Sequence, residues 1–277
     1  MPEDHAPPQI IDGLAVRCQT YRGIVARCAG QGEPLILFHG GRGSWNHWVR
    51  NIGPLSARYS VFALDLPGFG ESVVVERTLP VDAYIDILGE GVAAIAGNGP
   101  VLFAAFSFGA MVAAGLAARL GSQVRKLSLL APSGWGNDRA VGESRYKSLR
   151  GTRTEEERRA VHRHNLGVAH LADPASLTEE AVSLQIYNIT HSTYDSAKAG
   201  SEPCLFDYLA LCHGPIQVIM GTRDIIQAPS VDARMASLAE RFPRIRFDRI
   251  DGAAHWTQYD KPAAYNRALL AFLESSP

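Results

Sequence analysis

Ser107 occupies the position in this sequence that most suggests chemistry. It stands between the apolar run 102–106 and the small residues of 109–115, where a buried strand is expected to turn into a helix. A serine hydroxyl is a weak nucleophile, so it requires a base, a group that orients the base, and N–H donors for an oxyanion. Asp224 and His255 also follow apolar runs further along the chain, and they are candidates for the first two of these groups.

The small residues on either side of Ser107 fit a tight turn. A sharp strand–turn–helix raises the serine hydroxyl out of a sheet and brings the N–H of the next residue to the start of the helix. The turn requires small residues two positions before and after the serine, and these are Ala105 and Gly109. The usual pattern is G-x-S-x-G, so Ala105 is a departure, although alanine is small enough for the turn.

Short apolar runs predict the sheet that would position these residues. Residues 14–20 and 24–29 are expected to form an antiparallel pair of strands. The later runs are unbroken, which is typical of a parallel sheet covered by helices on both faces, and they begin near residues 34, 59, 100, 124 and 215. Helices are predicted between them, including 81–96, 110–120 and 262–273. The predicted fold class is therefore α/β, with a mostly parallel, doubly wound sheet.

One segment interrupts this alternation of strands and helices. From about Gly134 to Leu211 no apolar strand is found, and possible capping boxes at 154–157 and 176–179 predict two helices. An insertion between two strands would lie over the carboxyl ends of the sheet, where such sheets bind ligands. We predict a core of 1–133 and 211–277 and a helical lid of 134–210. A helical layer packed elsewhere is the alternative.

The order of the motifs resembles that of the α/β-hydrolase superfamily over almost the whole chain. The matching stretches are HG at 39–40, DLPGFGES at 65–72, the turn at Ser107, GTRD at 221–224 and DGAAHWTQ at 251–258. We call the last of these, which carries His255, the histidine loop. The resemblance implies the α/β-hydrolase fold, with Ser107 as nucleophile, His255 as general base and Asp224 as the acid that orients the base. It also implies an oxyanion hole made by the backbone N–H groups of Gly41 and Phe108.

Other readings of these residues remain open. Ser107 could be a buried hydroxyl without a catalytic function. Asp251 lies only four residues before His255 and could replace Asp224 as the acid. His39 is expected to support its loop, and Asp65 and Ser72 are expected to hold another loop together. Three histidines are expected at the surface or in the lid and not as metal ligands, namely His162, His164 and His170.

The substrate is less well determined than the reaction. A serine at the turn, where dehalogenases and epoxide hydrolases of this fold carry Asp, indicates acyl transfer to water. The stretch 255–273, with Trp256 after the histidine, and the stretch 44–51 resemble the meta-cleavage-product hydrolases, which split a carbon–carbon bond. That group usually carries Asn where this chain has Phe106 and another Asn near His47, together with a lid arginine that we cannot match.

We therefore predict a cofactor-independent serine hydrolase that cleaves a carboxylic ester or lactone through an acyl-enzyme. Carbon–carbon bond hydrolysis of a diketone acid is the first alternative, and a lyase or a ligand-binding member of the fold is the second. The expected pocket residues are Gly40, Trp45, Phe106 and Trp256, and the expected ligand is a small molecule with a hydrophobic part.

Composition limits the other partners. The chain has 277 residues, a formal net charge of -1 and 20% charged residues. It has no Lys/Arg-rich run, so we expect no binding to nucleic acid or to an anionic membrane surface. We expect no cofactor and no metal, since phosphate-binding loops and metal-ligand spacings are absent from the sequence. The N-terminus lacks the features of a signal peptide, so we expect a cytoplasmic protein. Cys18 and Cys28 flank the predicted hairpin, but a disulfide is not expected, and a homodimer is left open.

Overall fold

The computed structural model describes residues 3–4, 9–11, 14–136, 145–227 and 229–276. Its strands are β1 Glu3–Asp4, β2 Gln9–Ile11, β3 Leu14–Tyr21, β4 Ile24–Ala29, β5 Pro34–Phe38, β6 Ser60–Leu64, β7 Val101–Phe106, β8 Val124–Leu130, β9 Ile216–Gly221 and β10 Arg246–Ile250. Its α-helices are α1 Ile52–Ser56, α2 Val81–Ala96, α3 Phe108–Leu120, α4 Glu155–Ala169, α5 Glu179–Thr190, α6 Ser196–Ala199, α7 Leu205–Ala210, α8 Val231–Arg241, α9 Thr257–Asp260 and α10 Pro262–Leu273.

The strands form one mixed sheet in the order β1-β3-β4-β6-β5-β7-β8-β9-β10, with β2 paired to β3. The antiparallel pairs are β1–β3, β2–β3, β3–β4 and β4–β6. The parallel pairs are β6–β5, β5–β7, β7–β8, β8–β9 and β9–β10. All residues of β4, β7 and β9 are buried, as expected for strands covered on both faces. This is the α/β-hydrolase fold, as predicted.

Helices cover the sheet on both faces. One apolar cluster packs α2, α3, α7 and α8 against one face of the sheet, and the other packs α1, α5 and α10 against the opposite face. Helix α3 approaches the end of β5 so closely that a Cβ on Gly109 would lie 2.2 Å from the carbonyl oxygen of His39. Glycine is therefore required at this position, which holds the start of α3 beside the loop after β5.

Helices α4 to α7 lie between β8 and β9, in the region predicted to be a lid. We call residues 145–210 the inserted segment; residues 137–144 of the predicted lid lie outside the described residues. Thr154 and Glu157 form the predicted capping box of α4. The prediction for α5 is wrong in one detail: Thr178 is its N-cap, because Ser176 ends a 3-10 turn and donates its hydroxyl to the carbonyl oxygen of Asp260 at 3.0 Å.

No helix within the described ranges is long and apolar enough to cross a membrane. The four cysteines are free thiols, and Cys18 and Cys28 are buried.

Candidate active site

Ser107 lies at a strained turn between β7 and α3. Its φ of 52° and ψ of -116° are a left-handed backbone conformation that L residues rarely adopt. The turn is held by neighbouring strands, since Ser107 N–H donates to Leu130 at 2.9 Å and its carbonyl oxygen accepts from Ser133 N–H at 3.2 Å. The fully buried β7 ends here and leaves the Ser107 side chain half-buried, so its hydroxyl projects beyond the end of the strand.

His255 joins Ser107 to Asp224. Its Nε2 lies 3.0 Å from Ser107 Oγ and its Nδ1 lies 2.7 Å from Asp224 Oδ2. The other carboxylate oxygen of Asp224 accepts the N–H of Ile226 at 2.9 Å, which fixes the carboxylate. Because Asp224 can only accept, His255 carries its proton on Nδ1 and presents an unprotonated Nε2 to the serine hydroxyl. The side chains of Asp224 and His255 are buried.

The alternative acid, Asp251, lies elsewhere. It is exposed, and its Oδ1 accepts from the hydroxyl of Thr222 at 3.2 Å. Both Asp224 and Asp251 stand near strand ends, after β9 and β10. Because β9 and β10 are parallel, both aspartates follow the end of the sheet where Ser107 lies. It is the carboxylate of Asp224 that contacts the imidazole of His255, at 2.7 Å.

The loop after β5 lies beside the serine turn. Gly40 N–H donates to His47 Nδ1 at 3.2 Å, whereas the N–H groups of Gly41 and Phe108 have no hydrogen-bond partner in the part of the chain that the structure describes. A Cβ on Gly41 would lie 3.6 Å from that of Phe108. The two expected oxyanion donors are therefore on adjacent segments, next to the hydroxyl of Ser107.

Buried polar side chains hold that loop in place. His39 donates from Nδ1 to the carbonyl oxygen of Gly40 at 2.7 Å and accepts the N–H of Leu66 on Nε2 at 2.9 Å. Asp65 accepts the N–H groups of Trp45 at 2.8 Å and Glu71 at 3.0 Å. Burial lowers the pKa of His39 to about 4 and raises the pKa of Asp65 to about 6. His39 is thus a neutral support of the loop.

Ser72 completes the support of the neighbouring loop. Its hydroxyl donates to the carbonyl oxygen of Asp65 at 2.6 Å and accepts the N–H of Val25 at 2.7 Å. The segment 65–72 is thereby attached to β4. Asp65 and Ser72 both act through backbone contacts, as expected from the sequence.

A cavity of about 970 Å³ lies over Ser107, between the core and the inserted segment. Of the predicted pocket residues, Phe106 and Trp256 line it. Gly40 lies behind Phe106, since a Cβ there would come within 2.9 Å of the Phe106 ring. Trp45 lies outside the lining, because its ring packs under the guanidinium of Arg27, 5.2 Å from Arg27 Cζ.

The lining combines apolar side chains with positive charge. Phe106, Phe108, Leu166, Ile189 and Trp256 contribute apolar surface. Among the described residues that line the cavity, three are cationic and none is Asp or Glu; the cations are Arg42, Lys147 and Arg234. Arg234 also lies over the ring of Trp135, with its Cζ 4.3 Å from the centroid.

Two histidines beside the site were not expected there. His47 lines the cavity and packs against the rings of Phe106 and Trp256, and His170 of the inserted segment lies 5.7 Å from His255 between ring centroids. Burial lowers the pKa of His47 well below its ordinary value and that of His170 to about 3. Both rings are therefore neutral at pH 7. Of the other two histidines for which the sequence predicted a surface or lid position, His162 lines the cavity and His164 is bonded to the carbonyl oxygen of Arg145.

The inserted segment is attached to the histidine loop by a buried carboxylate. Asp260 accepts the N–H groups of Ala254 at 2.9 Å, Ala172 at 2.9 Å and Asp173 at 3.0 Å. His255 N–H also donates to Ala169 at 3.2 Å. The position of the base thus depends on residues 169–173. No adjacent polar pattern in the sequence signals this link, because Asp260 and Ala172 are 88 residues apart.

No group of three or more His, Cys, Asp or Glu side chains that could hold a metal ion is found across the described ranges.

Known proteins similar to this chain were compared with it in sequence and in structure. The model of a family described as the alpha/beta hydrolase family matches residues 35–268. The (E)-2-((N-methylformamido)methylene)succinate hydrolase of Acinetobacter baylyi (strain ATCC 33305 / BD413 / ADP1) is 25% identical over 263 residues, which are 90% of this chain and 93% of that protein.

One further relative is similar to part of the sequence, and one solved structure is similar to the whole fold. The 2-hydroxy-6-oxononadienedioate/2-hydroxy-6-oxononatrienedioate hydrolase of Comamonas testosteroni is 36% identical over 121 residues, 39% of this chain and 40% of that protein. The structure of a putative aryl esterase from Burkholderia cenocepacia superposes with a TM-score of 0.72 at 20% identity and covers 98% of both chains.

Proposed function

Because the chain belongs to the alpha/beta hydrolase family, we propose that it is a serine hydrolase in which Ser107, His255 and Asp224 form the catalytic triad. The observation that carries the proposal is the pair of His255 contacts, 3.0 Å to Ser107 Oγ and 2.7 Å to Asp224 Oδ2. This geometry allows the imidazole to remove the serine proton while the carboxylate stabilises the imidazolium that forms.

The proposed reaction has two stages. Ser107 Oγ attacks a carbonyl carbon while its proton passes to His255 Nε2, and the carbonyl oxygen becomes an oxyanion that the N–H groups of Gly41 and Phe108 receive. The imidazolium then protonates the leaving group, which departs and leaves an acyl-enzyme. Water activated by His255 hydrolyses the acyl-enzyme and releases a carboxylic acid. No cofactor is required for these steps.

The proposed substrate is a carboxylic ester or lactone with a hydrophobic part and an acidic group. The apolar lining supports the hydrophobic part. The acidic group is supported by the cationic side chains of Arg42, Lys147 and Arg234 in the lining, because a carboxylate there would meet only positive charge among the described residues. The names of the Acinetobacter and Comamonas relatives likewise describe diacids.

Carbon–carbon bond hydrolysis of a diketone acid is the second candidate. The Comamonas relative, whose name describes a keto diacid, favours it. So does the buried Trp256, whose Nε1 donates to the carbonyl oxygen of His47 at 3.0 Å. Against it, Phe106 places an aromatic ring beside the nucleophile, 4.9 Å from the ring of His255, where that group usually has an amide. The inserted segment would act as the lid in both cases.

The first test is intact mass spectrometry after incubation with a fluorophosphonate. We expect one adduct on the wild type and none on Ser107→Ala, since only an activated serine reacts quickly with this probe. Ser133→Ala is the matched control, because Ser133 also lines the cavity, but its hydroxyl donates to the carbonyl oxygen of Ser107 at 3.4 Å and not to a side chain of the proposed triad. An unmodified, folded wild type would contradict the proposal.

The second test separates the two substrate classes. Hydrolysis of 4-nitrophenyl esters and of γ- and δ-lactones is compared with bleaching of the yellow dienol acid 2-hydroxy-6-oxo-6-phenylhexa-2,4-dienoate. Turnover of esters or lactones without bleaching supports the first candidate. Rapid bleaching with negligible ester turnover would transfer the assignment to carbon–carbon bond hydrolysis.

A further inference from the structure

We infer that the side-chain hydroxyl of Ser196, which belongs to the inserted segment, is a third hydrogen-bond donor to the oxyanion. The inference rests on the proposed function, since it requires that Ser107 attack a carbonyl carbon beside Gly41 and Phe108. Its starting observation is a close approach: a Cβ on Gly41 would lie only 2.6 Å from Ser196 Oγ. The Ser196 hydroxyl therefore lies directly against Gly41.

The same approach locates the hydroxyl relative to the second backbone donor. A Cβ placed on Gly41 would lie 2.6 Å from Ser196 Oγ and 3.6 Å from Phe108 Cβ. Ser196 is therefore close to both Gly41 and Phe108, the two residues whose N–H groups are expected to receive an oxyanion. Ser196 and Ser107 line the same cavity.

The Ser196 hydroxyl is nearly buried and is not committed to another group. The residue is only 6% exposed, and its Oγ has no hydrogen-bond partner among residues 14–136, 145–227 and 229–276. The oxygen itself remains accessible from the cavity, so the hydroxyl can bond to a group that enters there. A substrate oxygen in the cavity would supply that partner.

The backbone around Ser196 is rigid enough to aim the hydroxyl. Ser196 N–H donates to Tyr194 at 3.0 Å, and its carbonyl oxygen accepts from Gly200 at 2.9 Å. Gly200 in turn accepts from Gly134 N–H at 2.9 Å, which anchors this turn to the segment after β8. A donor that is fixed before the reaction costs little reorganisation when charge develops.

The arrangement also explains why position 41 is glycine. Any larger residue there would place its Cβ within 2.6 Å of Ser196 Oγ, closer than such atoms approach each other. The side chain of Ser196 would have to move away from the loop after β5. In the proposed mechanism, the oxyanion receives two donors from the core and one from the inserted segment.

The first experiment measures the rate of fluorophosphonate labelling. Removing one donor to a developing oxyanion lowers a rate by up to about 10²–10³-fold; since two backbone donors remain, we expect Ser196→Ala to label roughly 10- to 100-fold more slowly. Ser56→Ala is the control, because Ser56 lies in α1, outside the cavity lining, and donates its hydroxyl to the carbonyl oxygen of Gly53 at 2.9 Å. It should label at the wild-type rate.

The second experiment separates an oxyanion contact from a packing contact. 1,1,1-Trifluoro-2-octanone forms a charged hemiketal when Ser107 Oγ bonds to its carbonyl carbon, whereas 2-octanone binds without forming an oxyanion. Ser196→Ala should weaken inhibition by the trifluoro ketone at least tenfold, on the order of one lost charged hydrogen bond. Inhibition by 2-octanone should be unchanged, because the shape of the cavity is retained.

The outcomes distinguish the inference from the proposed function. A wild type that does not react with the fluorophosphonate would overturn both. A wild type that reacts, with Ser196→Ala equal to it in labelling rate and in trifluoro ketone inhibition, would overturn only the inference. Equal losses with both ketones would likewise reject the oxyanion contact and assign Ser196 to packing.

Discussion

At the scale of single residues, the site depends on a few side chains whose bonding fixes their protonation. His255 is oriented by Asp224 at 2.7 Å, and His39 is fixed as the Nδ1–H tautomer by Gly40 and Leu66. His47, which accepts the Gly40 N–H on Nδ1, is also neutral. The imidazole of His255 is the one placed to exchange a proton with Ser107.

The choice between Asp224 and Asp251 is testable by two amide variants. Asp224→Asn should reduce kcat by roughly 10²–10⁴-fold, because an amide no longer stabilises the imidazolium or the required tautomer. Asp251→Asn should leave kcat unchanged, since that side chain is exposed and contacts Thr222. The measurement is steady-state hydrolysis of a 4-nitrophenyl ester. The reverse result would move the acid to Asp251.

His39 should make the fold sensitive to acid. Its pKa is about 4 in the folded protein and about 6.5 when unfolded, so the unfolded state binds the proton more tightly. Stability from neutral His39 is present above pH 6.5 and is lost as the pH falls towards 4, by about 2 kcal/mol between pH 7 and pH 5.

The comparison variant for this effect is His39→Gln, which keeps a donor and an acceptor but does not titrate. Urea unfolding at pH 7 and pH 5 should show a smaller loss of unfolding free energy in the variant than in the wild type. The other buried histidines contribute equally to both proteins. An identical pH dependence in the two would contradict a buried, neutral His39.

At the scale of secondary-structure elements, local sequence patterns predict the core better than the insertion. Helices α2 and α10 begin and end where apolar periodicity and proline place them, at Val81–Ala96 and Pro262–Leu273. The start of α5 was misplaced because Ser176 has the residue type of a cap, while its hydroxyl is taken by the carbonyl oxygen of Asp260. Ser176 and Asp260 are 84 residues apart in the sequence. A local sequence pattern therefore cannot predict that Asp260 takes the hydroxyl of Ser176.

Helix α5 is joined to the loop after β5 by a fully buried amide. Asn188 accepts from the hydroxyl of Ser44 at 2.8 Å and donates to Asn46 Oδ1 at 2.8 Å. Asn188→Leu would leave both partners unsatisfied, at a cost of about 1–3 kcal/mol each. We expect faster tryptic cleavage in the exposed stretch 145–153, because the inserted segment is released more often.

The control for this prediction lies on the same helix. Thr190 is exposed, and among the described residues its hydroxyl bonds only to the carbonyl oxygens of Ile186 and Tyr187 and to the adjoining His191. Thr190→Val should therefore leave the cleavage rate unchanged. Cleavage is followed by gel electrophoresis under native conditions. If Asn188→Leu is cleaved no faster than Thr190→Val, the amide does not hold the inserted segment to the loop.

At the scale of the whole molecule, the cavity brings together charges from distant parts of the chain. Arg42 follows β5, Lys147 precedes α4 and Arg234 lies in α8. Composition gave no hint of this, because the formal net charge is only -1. The order of motifs was sufficient to predict which polar residues follow strands, but the convergence of cations depends on the packing of the inserted segment.

This convergence predicts a preference for acidic substrates. Mono-4-nitrophenyl glutarate and 4-nitrophenyl pentanoate have acyl parts of similar size and differ by one carboxylate. We expect kcat/KM for the glutarate to be roughly tenfold higher at low salt and to fall as salt screens the charges. Arg42→Gln should reduce the advantage. Arg58→Gln, which removes a surface partner of Glu274, should not.

The left-handed turn at Ser107 lowers the stability of the folded protein, but catalysis requires a serine at this position. A non-glycine residue in such a conformation costs about 1–2 kcal/mol, and glycine would relieve that cost while deleting the nucleophile. Ser107→Gly should therefore unfold at a higher temperature than Ser107→Ala, with both inactive. In a library selected only for survival of heating, position 107 should drift towards glycine. In one selected for product formation, it should remain serine.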